Sequence, residues 1–181
     1  SSALEVFAHA TQPRGKPTFG IDAVTVDGHP RAVTEAIVLN RPFGDLRPFT
    51  HEALASDAPK VLIVAPMSGH FATLLRGTVE RMVQGCEVYI TDWADARQVP
   101  TREGRFDLDD YIDYLVDYLE FIGEGTHVIA VCQPSVPALA ATAVMNAARH
   151  PARPATLTMM GGPIDTRCSP TSVNDLAMER P

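Results

Sequence analysis

Cys132 is the residue of this sequence whose setting best suits covalent chemistry. It lies in His127-Val128-Ile129-Ala130-Val131-Cys132-Gln133-Pro134-Ser135-Val136-Pro137, an apolar β-branched run that gives way to helix-starting residues. The run reads as a buried strand and its continuation as the first turn of a helix, so the cysteine sits at the joint. A nucleophile on such a sharp turn is usually framed Gly-x-Ser-x-Gly, because the strained backbone tolerates only small or already bent neighbours. Here the frame is Ala130-x-Cys132-x-Pro134: both glycines are replaced and the hydroxyl has become a thiol. Ala130 is small, and Pro134 has a helical φ and no N–H to leave unsatisfied in the first turn. The helix N-terminus directs its partial positive charge at the sulfur, which stabilises a thiolate. The bland alternative is an inert core cysteine, since free Cys is among the most buried residue types.

Other reactive residues are scattered. Cys86, Cys132 and Cys168 are odd in number and far apart, which makes no disulfide framework and fits a reducing cytoplasm. No His, Cys, Asp and Glu cluster has metal-ligand spacing, and no Gly-rich loop follows a phosphate-binding pattern, so neither a metal nor a cofactor is expected. The net charge of −7 argues against a nucleic-acid partner. No apolar run approaches the roughly 20 residues of a transmembrane helix. The first residues lack the pattern of a signal peptide. A length of 181 residues suggests one domain with a sizeable core.

The elements that must position Cys132 form an alternating series. Residues 1–20 read as loop after a short helix near 3–10. Strands are expected at 21–27 and 32–40, around a hairpin turn at Asp27-Gly28-His29-Pro30, and 41–49 reads as an irregular connection. From residue 60 the order becomes strand 61–65, helix 72–84, strand 86–91, helix 107–123, strand 127–132, helix 134–149 and strand 155–160. Asp107 is a good N-cap, and Leu108, Tyr111, Ile112, Leu115, Leu119 and Ile122 share one stripe. The helix after Cys132 is apolar nearly all round, as for one buried behind the nucleophile. This alternation predicts an α/β fold with a mostly parallel sheet and helices on both faces. Sites in such sheets lie at the carboxyl ends of the strands, where 66–70, 92–93 and 132–134 converge.

Several stretches together resemble the intracellular polyhydroxyalkanoate (polyhydroxybutyrate) depolymerases. They are 61–75 (beginning Val61-Leu62-Ile63-Val64-Ala65-Pro66-Met67-Ser68-Gly69-His70), Tyr89 to Arg97, Phe106 to Ile112, Ala130 to Pro134, Pro42 to Leu46 and Gly161-Gly162-Pro163-Ile164-Asp165. The resemblance implies an α/β-hydrolase that cleaves 3-hydroxyalkanoate esters through Cys132. It implies three regions: an N-terminal arm with the first strands (1–59), the hydrolase core (60–165) and the start of a lid or connecting segment (166–181). It also implies polyhydroxyalkanoate polymer or oligomers as partner, with a granule surface in the cytoplasm, and is compatible with a homo-oligomer. The family's acid and histidine follow later strands, for which this chain has no position. The expectation is therefore an amino-terminal portion, incomplete at the C-terminal end of the sheet and inactive alone.

The chemistry assigns further roles. The oxyanion of an acyl-transfer step needs two backbone donors, for which Gln133 after the nucleophile and Met67 or Ser68 after the 61–65 strand are placed. An ordinary strand-to-helix loop is the alternative reading of 66–70. His70 is expected to line the pocket or cap the next helix rather than act as base. Trp93 is a pocket wall or a buried aromatic, and Asp165 is a candidate acid or pocket residue. His127 and His150 read as structural and Cys86 as core. Two other functions stay open: a polyhydroxyalkanoate synthase-like acyltransferase, whose family keeps glycines around its cysteine, and a non-catalytic granule-binding paralogue.

Overall fold

A computed structural model describes residues 15–67, 71–168 and 170–179. The helix expected near 3–10 and the residues Ser68, Gly69 and His70 lie outside them. Eight strands form one sheet: β1 (Ala23–Val26), β2 (His29–Glu35), β3 (Leu39–Arg41), β4 (Gly44–His51), β5 (Lys60–Val64), β6 (Glu87–Trp93), β7 (His127–Val131) and β8 (Thr156–Met160). The helices are α1 (Arg76–Met82), α2 (Leu108–Ile122), α3 (Ser135–Ala147) and α4 (Ser172–Glu179). The strand order is β1-β2-β4-β6-β5-β7-β8, with β3 on the flank of β4.

The sheet is parallel from β6 through β5 and β7 to β8, and antiparallel from β1 to β6. The parallel half follows from the helical crossovers, whose length returns the chain to the same edge. Of the antiparallel pairs, β1–β2 and β3–β4 are joined by short turns, and the first is as expected: Asp27 and Gly28 have φ of 50° and 77°, the pair of positive values that a tight hairpin needs. Residues 15–59 thus belong to the same sheet as the alternating part.

The expectation of an irregular connection at 41–49 is corrected by β4. That strand carries Leu46 and Phe49 at 0% exposure and pairs with β6 from Gly44↔Trp93 to Phe49↔Val88. Pro48 hides it in the sequence, because proline is normally kept out of central strands. Here pairing to β2 stops at Phe49 and pairing to β3 stops at Leu46, so Pro48 needs a ladder partner on one side only. The expected strand over 32–40 is correspondingly split between β2 and β3.

Helices cover both faces. On one face α2 and α3 pack over Leu62, Val64, Val128 and Ala130, and on the other α1 and residues 19–24 pack over Ile63, Phe49, Val88 and Ile90. Asp107 caps α2 with a full capping box, accepting from the N–H groups of Asp109 and Asp110 while Asp110 accepts from Asp107. The buried stripe of α2 is turned from the expected one: Tyr114 and Tyr118 are buried, whereas Leu108 is exposed. Aromatic packing beneath β6 draws those two tyrosines inward. The expected helix over 72–84 opens with a tighter turn, Ala72–Leu75, because no side chain caps either start.

Candidate active site

The turn after β7 has the backbone that the sequence pattern predicts. Cys132 has φ of 66°, in the left-handed region that non-glycine residues adopt at a cost of about 1–3 kcal/mol. Its side chain is exposed rather than packed in the core. The surrounding hydrogen bonds hold the bend. The Cys132 N–H donates to the Met160 carbonyl at 2.8 Å, and the Cys132 carbonyl accepts from the Ser135 N–H at 3.0 Å. Pro134 is the N-cap of α3 and is buried, so the helix begins directly behind the sulfur.

Gln133 is exposed, and among the described residues no hydrogen bond consumes its backbone N–H. An unspent N–H next to the thiol is a property that an oxyanion donor requires. Met67, the other described candidate, is half-buried against the aromatic face of the core. The strand leading to it is firmly held: Ala65 donates its N–H to Thr91 Oγ1 at 3.0 Å and accepts from the Trp93 indole at 2.8 Å. Ser68 and His70 lie outside the described residues.

Of its two readings, Trp93 matches the buried aromatic. It is 5% exposed, packs edge-on to Tyr111 at 4.6 Å between ring centroids, and spends its N–H on the backbone that enters the 66–70 loop. Even its contact with Gly44 is size-limited, since a Cβ there would fall 2.6 Å from the ring. Asp92 beside it, a role not read from the sequence, is 2% exposed and lies 2.7 Å from Lys16 Nζ and 2.5 Å from Arg47 Nε. Arg47 also reaches Glu35 at 2.8 Å. Its burial works against the charge, yet the Asp92 and Glu35 carboxylates prevail and raise its pKa.

Asp165 is exposed on the loop after β8. Two hydrogen bonds at 2.8 Å from the Arg167 guanidinium, with the Arg167 N–H at 3.0 Å, occupy its carboxylate and lower its pKa. His127 begins β7, bonded to Thr156 Oγ1 at 2.9 Å, and the strand itself separates it from Cys132 by roughly 16 Å. His150 lies beyond the far end of α3, its Nε2 3.0 Å from Glu120 and its Nδ1 accepting from Ala152. Cys132 and Gln133 are neighbours along the turn, and the polar groups of Asp165, His127 and His150 are bonded to other partners. Cys86 packs against the core, and burial pushes its thiol pKa up. Among the described residues no cluster of three or more His, Cys, Asp or Glu could hold a metal ion.

The helix behind the sulfur is less covered than its composition predicts. Pro137, Ala138, Ala141 and Met145 are buried, but Val136, Leu139 and Val144 are exposed. Strand β8 pairs only with β7 among the described strands, and Met159, Met160 and Ile164 are also exposed. One flank of the site is thus an apolar surface of α3, β8 and the loop that follows.

No family model matches the chain, and no curated protein matches its sequence. Solved structures do. A putative lipase from Acinetobacter baumannii superposes with a TM-score of 0.56 at 14% identity, covering 81% of this chain and 47% of the other. An α/β-hydrolase enzyme from the metagenome of Lake Arreo gives 0.55 at 16% identity, covering 97% and 61%. A bacterial membrane phospholipase A gives 0.50 at 14% identity, covering 73% and 40%. The chain spans only 40% to 61% of the length of these three structures. With the strand order and the turn at Cys132, these matches establish an α/β-hydrolase fold.

Proposed function

We propose that this chain carries the nucleophile of a carboxylic ester hydrolase that cleaves 3-hydroxyalkanoate polyesters or oligomers through Cys132. The observation that carries the reading is the exposed thiol at φ of 66°, at the carboxyl end of a parallel strand and one residue before a free backbone N–H. The Cys132 thiolate attacks the ester carbonyl, and the oxyanion is met by the N–H of Gln133 and a donor from the 66–70 loop, Met67 or Ser68. Collapse expels the alcohol end of the polymer and leaves a thioester. Water then adds to the thioester, releasing the hydroxy acid and regenerating the thiol. In the depolymerases that the sequence resembles, the acid and the histidine follow later strands of the sheet, so this reading assigns neither to the described residues.

The polyester substrate rests on the resemblance of residues 61–75, 89–97, 106–112 and 130–134 to the depolymerases, and so does association with a polymer granule. Two of the fold neighbours are a putative lipase and a phospholipase A, which supports ester hydrolysis. Among the described residues no helix is long and apolar enough to cross a membrane. The test is release of 3-hydroxybutyrate from amorphous polymer by the full-length protein and its Cys132→Ala variant. The expected result is turnover by the parent and a loss of about 10⁴-fold in the variant. Chain growth from a coenzyme A thioester would replace the reading by a synthase. Granule binding without turnover by either protein would replace it by a non-catalytic role.

A further inference from the structure

The loop after β8 touches the elbow more closely than a side chain would allow. At Gly162 a Cβ would run into the Ser135 Cβ and Oγ and lie 2.5 Å from the Cys132 carbonyl oxygen. Two residues earlier, the Met160 carbonyl takes the Cys132 N–H at 2.8 Å. One short segment, Met160-Gly161-Gly162, therefore takes the N–H of the strained residue and lies close beside its carbonyl. Gly161 makes the bend between the two contacts, with φ of 65°. Ser135, at 0% exposure, is the wedge on the other side, and among the described residues its hydroxyl has no hydrogen-bond partner. Packing rather than bonding therefore sets its position.

We infer that Gly162 is a positioning residue for the Cys132 nucleophile: its bare Cα lets the β8 loop press on the elbow and hold the left-handed turn. The inference rests on the reading of Cys132 as nucleophile and adds the device that keeps it aimed. The reason is steric. Two of the atoms that a Cβ would strike belong to a side chain fixed at the start of α3, and the third is backbone. Neither can yield without moving the elbow by about an ångström, and a displacement of that size in a reacting group costs on the order of 100-fold in rate.

The experiment measures two rates in the full-length protein for Gly162→Ala and for Gly77→Ala, whose added Cβ meets nothing within 4 Å. One is alkylation of Cys132 by iodoacetamide across pH, resolved from the other cysteines by peptide mapping. The other is ester hydrolysis, separated into kcat and KM. Gly162→Ala should shift the pH profile of alkylation and lower kcat on the order of 100-fold, with KM within about two-fold of the parent. Gly77→Ala should match the parent in both. A folded Gly162→Ala protein with parental alkylation and parental kcat overturns the inference. If Gly162→Ala does not fold, the Ser135→Gly/Gly162→Ala double variant decides, since it removes two of the three collisions. Recovery of fold and of thiol reactivity supports the lock, and a double variant no better than the single one overturns it. Ester turnover that survives Cys132→Ala would sink the proposed function instead, because alkylation reports the elbow with no ester present.

Discussion

The two strands that flank β5 in the parallel half reach the same edge of the sheet and end in opposite ways. At the end of β6, Asp92 and Trp93 are 2% and 5% exposed, and their polar groups are committed to Arg47, Lys16 and Ala65. At the end of β7, Cys132 and Gln133 are exposed, the Cys132 backbone is left-handed, and among the described residues the adjacent N–H is unspent. The polar groups of the first end are committed, and those of the second are available. Position at a carboxyl strand end makes a residue eligible for chemistry, and what its polar groups already hold decides whether it is available.

Substitutions at the two ends should therefore separate activity from stability. Cys132→Gly should abolish ester turnover, a loss of about 10⁴-fold, while raising stability by about 1 kcal/mol because glycine accepts a φ of 66° without strain. Paired hydrolysis and denaturant titrations check this, and a destabilised Cys132→Gly protein would break the comparison. Trp93→Ala should do the reverse, lowering stability by about 4 kcal/mol through the cavity left among Tyr111, Tyr114, Tyr118 and Phe106. Thermal unfolding reads it directly, and the cysteine of the protein that remains folded should still alkylate.

Asp92→Asn should cost about 3 kcal/mol, since it leaves Arg47 and Lys16 facing a neutral amide. Its urea midpoint should fall with little change in slope. Tyr118→Phe gives the smallest effect, about 1 kcal/mol, for the bond from its hydroxyl to the Gly44 carbonyl at 2.9 Å. This substitution also sharpens a pH dependence. Burial, as the leading cause, raises the phenol pKa values of Tyr89, Tyr111 and Tyr118. A raised folded value means that their contribution is complete below the unfolded tyrosine pKa of about 10 and is lost as pH rises above it. Stability should decline from about pH 10 upward, more gently in Tyr118→Phe, as alkaline unfolding monitored by circular dichroism would show.

Legibility from the sequence followed the range of the forces involved. Val61 to Val64 declared a strand covered on both faces, and the structure buries all four at 3% exposure or less. Asp107 declared its helix start, and the small-residue frame around Cys132 declared a bend whose φ is indeed left-handed. Strand β4 was hidden, because Pro48 is read locally as a breaker while its neighbours come from residues 29–41 and 87–93. The role of Trp93 was half visible. Its size marked it as important, but only the fold shows that it is buried with its N–H spent on the Ala65 carbonyl.

The sequence by itself determined the alternation of strands and helices, the joint at which the thiol stands and the residue types that allow it to bend, because all of these are set by neighbours a few positions apart. Only the tertiary structure decided which strands share a ladder, that Asp92 is neutralised by Arg47 and Lys16, and that a glycine thirty residues beyond the cysteine closes upon its carbonyl. Those contacts are made between distant parts of the chain, and their geometry exists only after the sheet has brought the parts together.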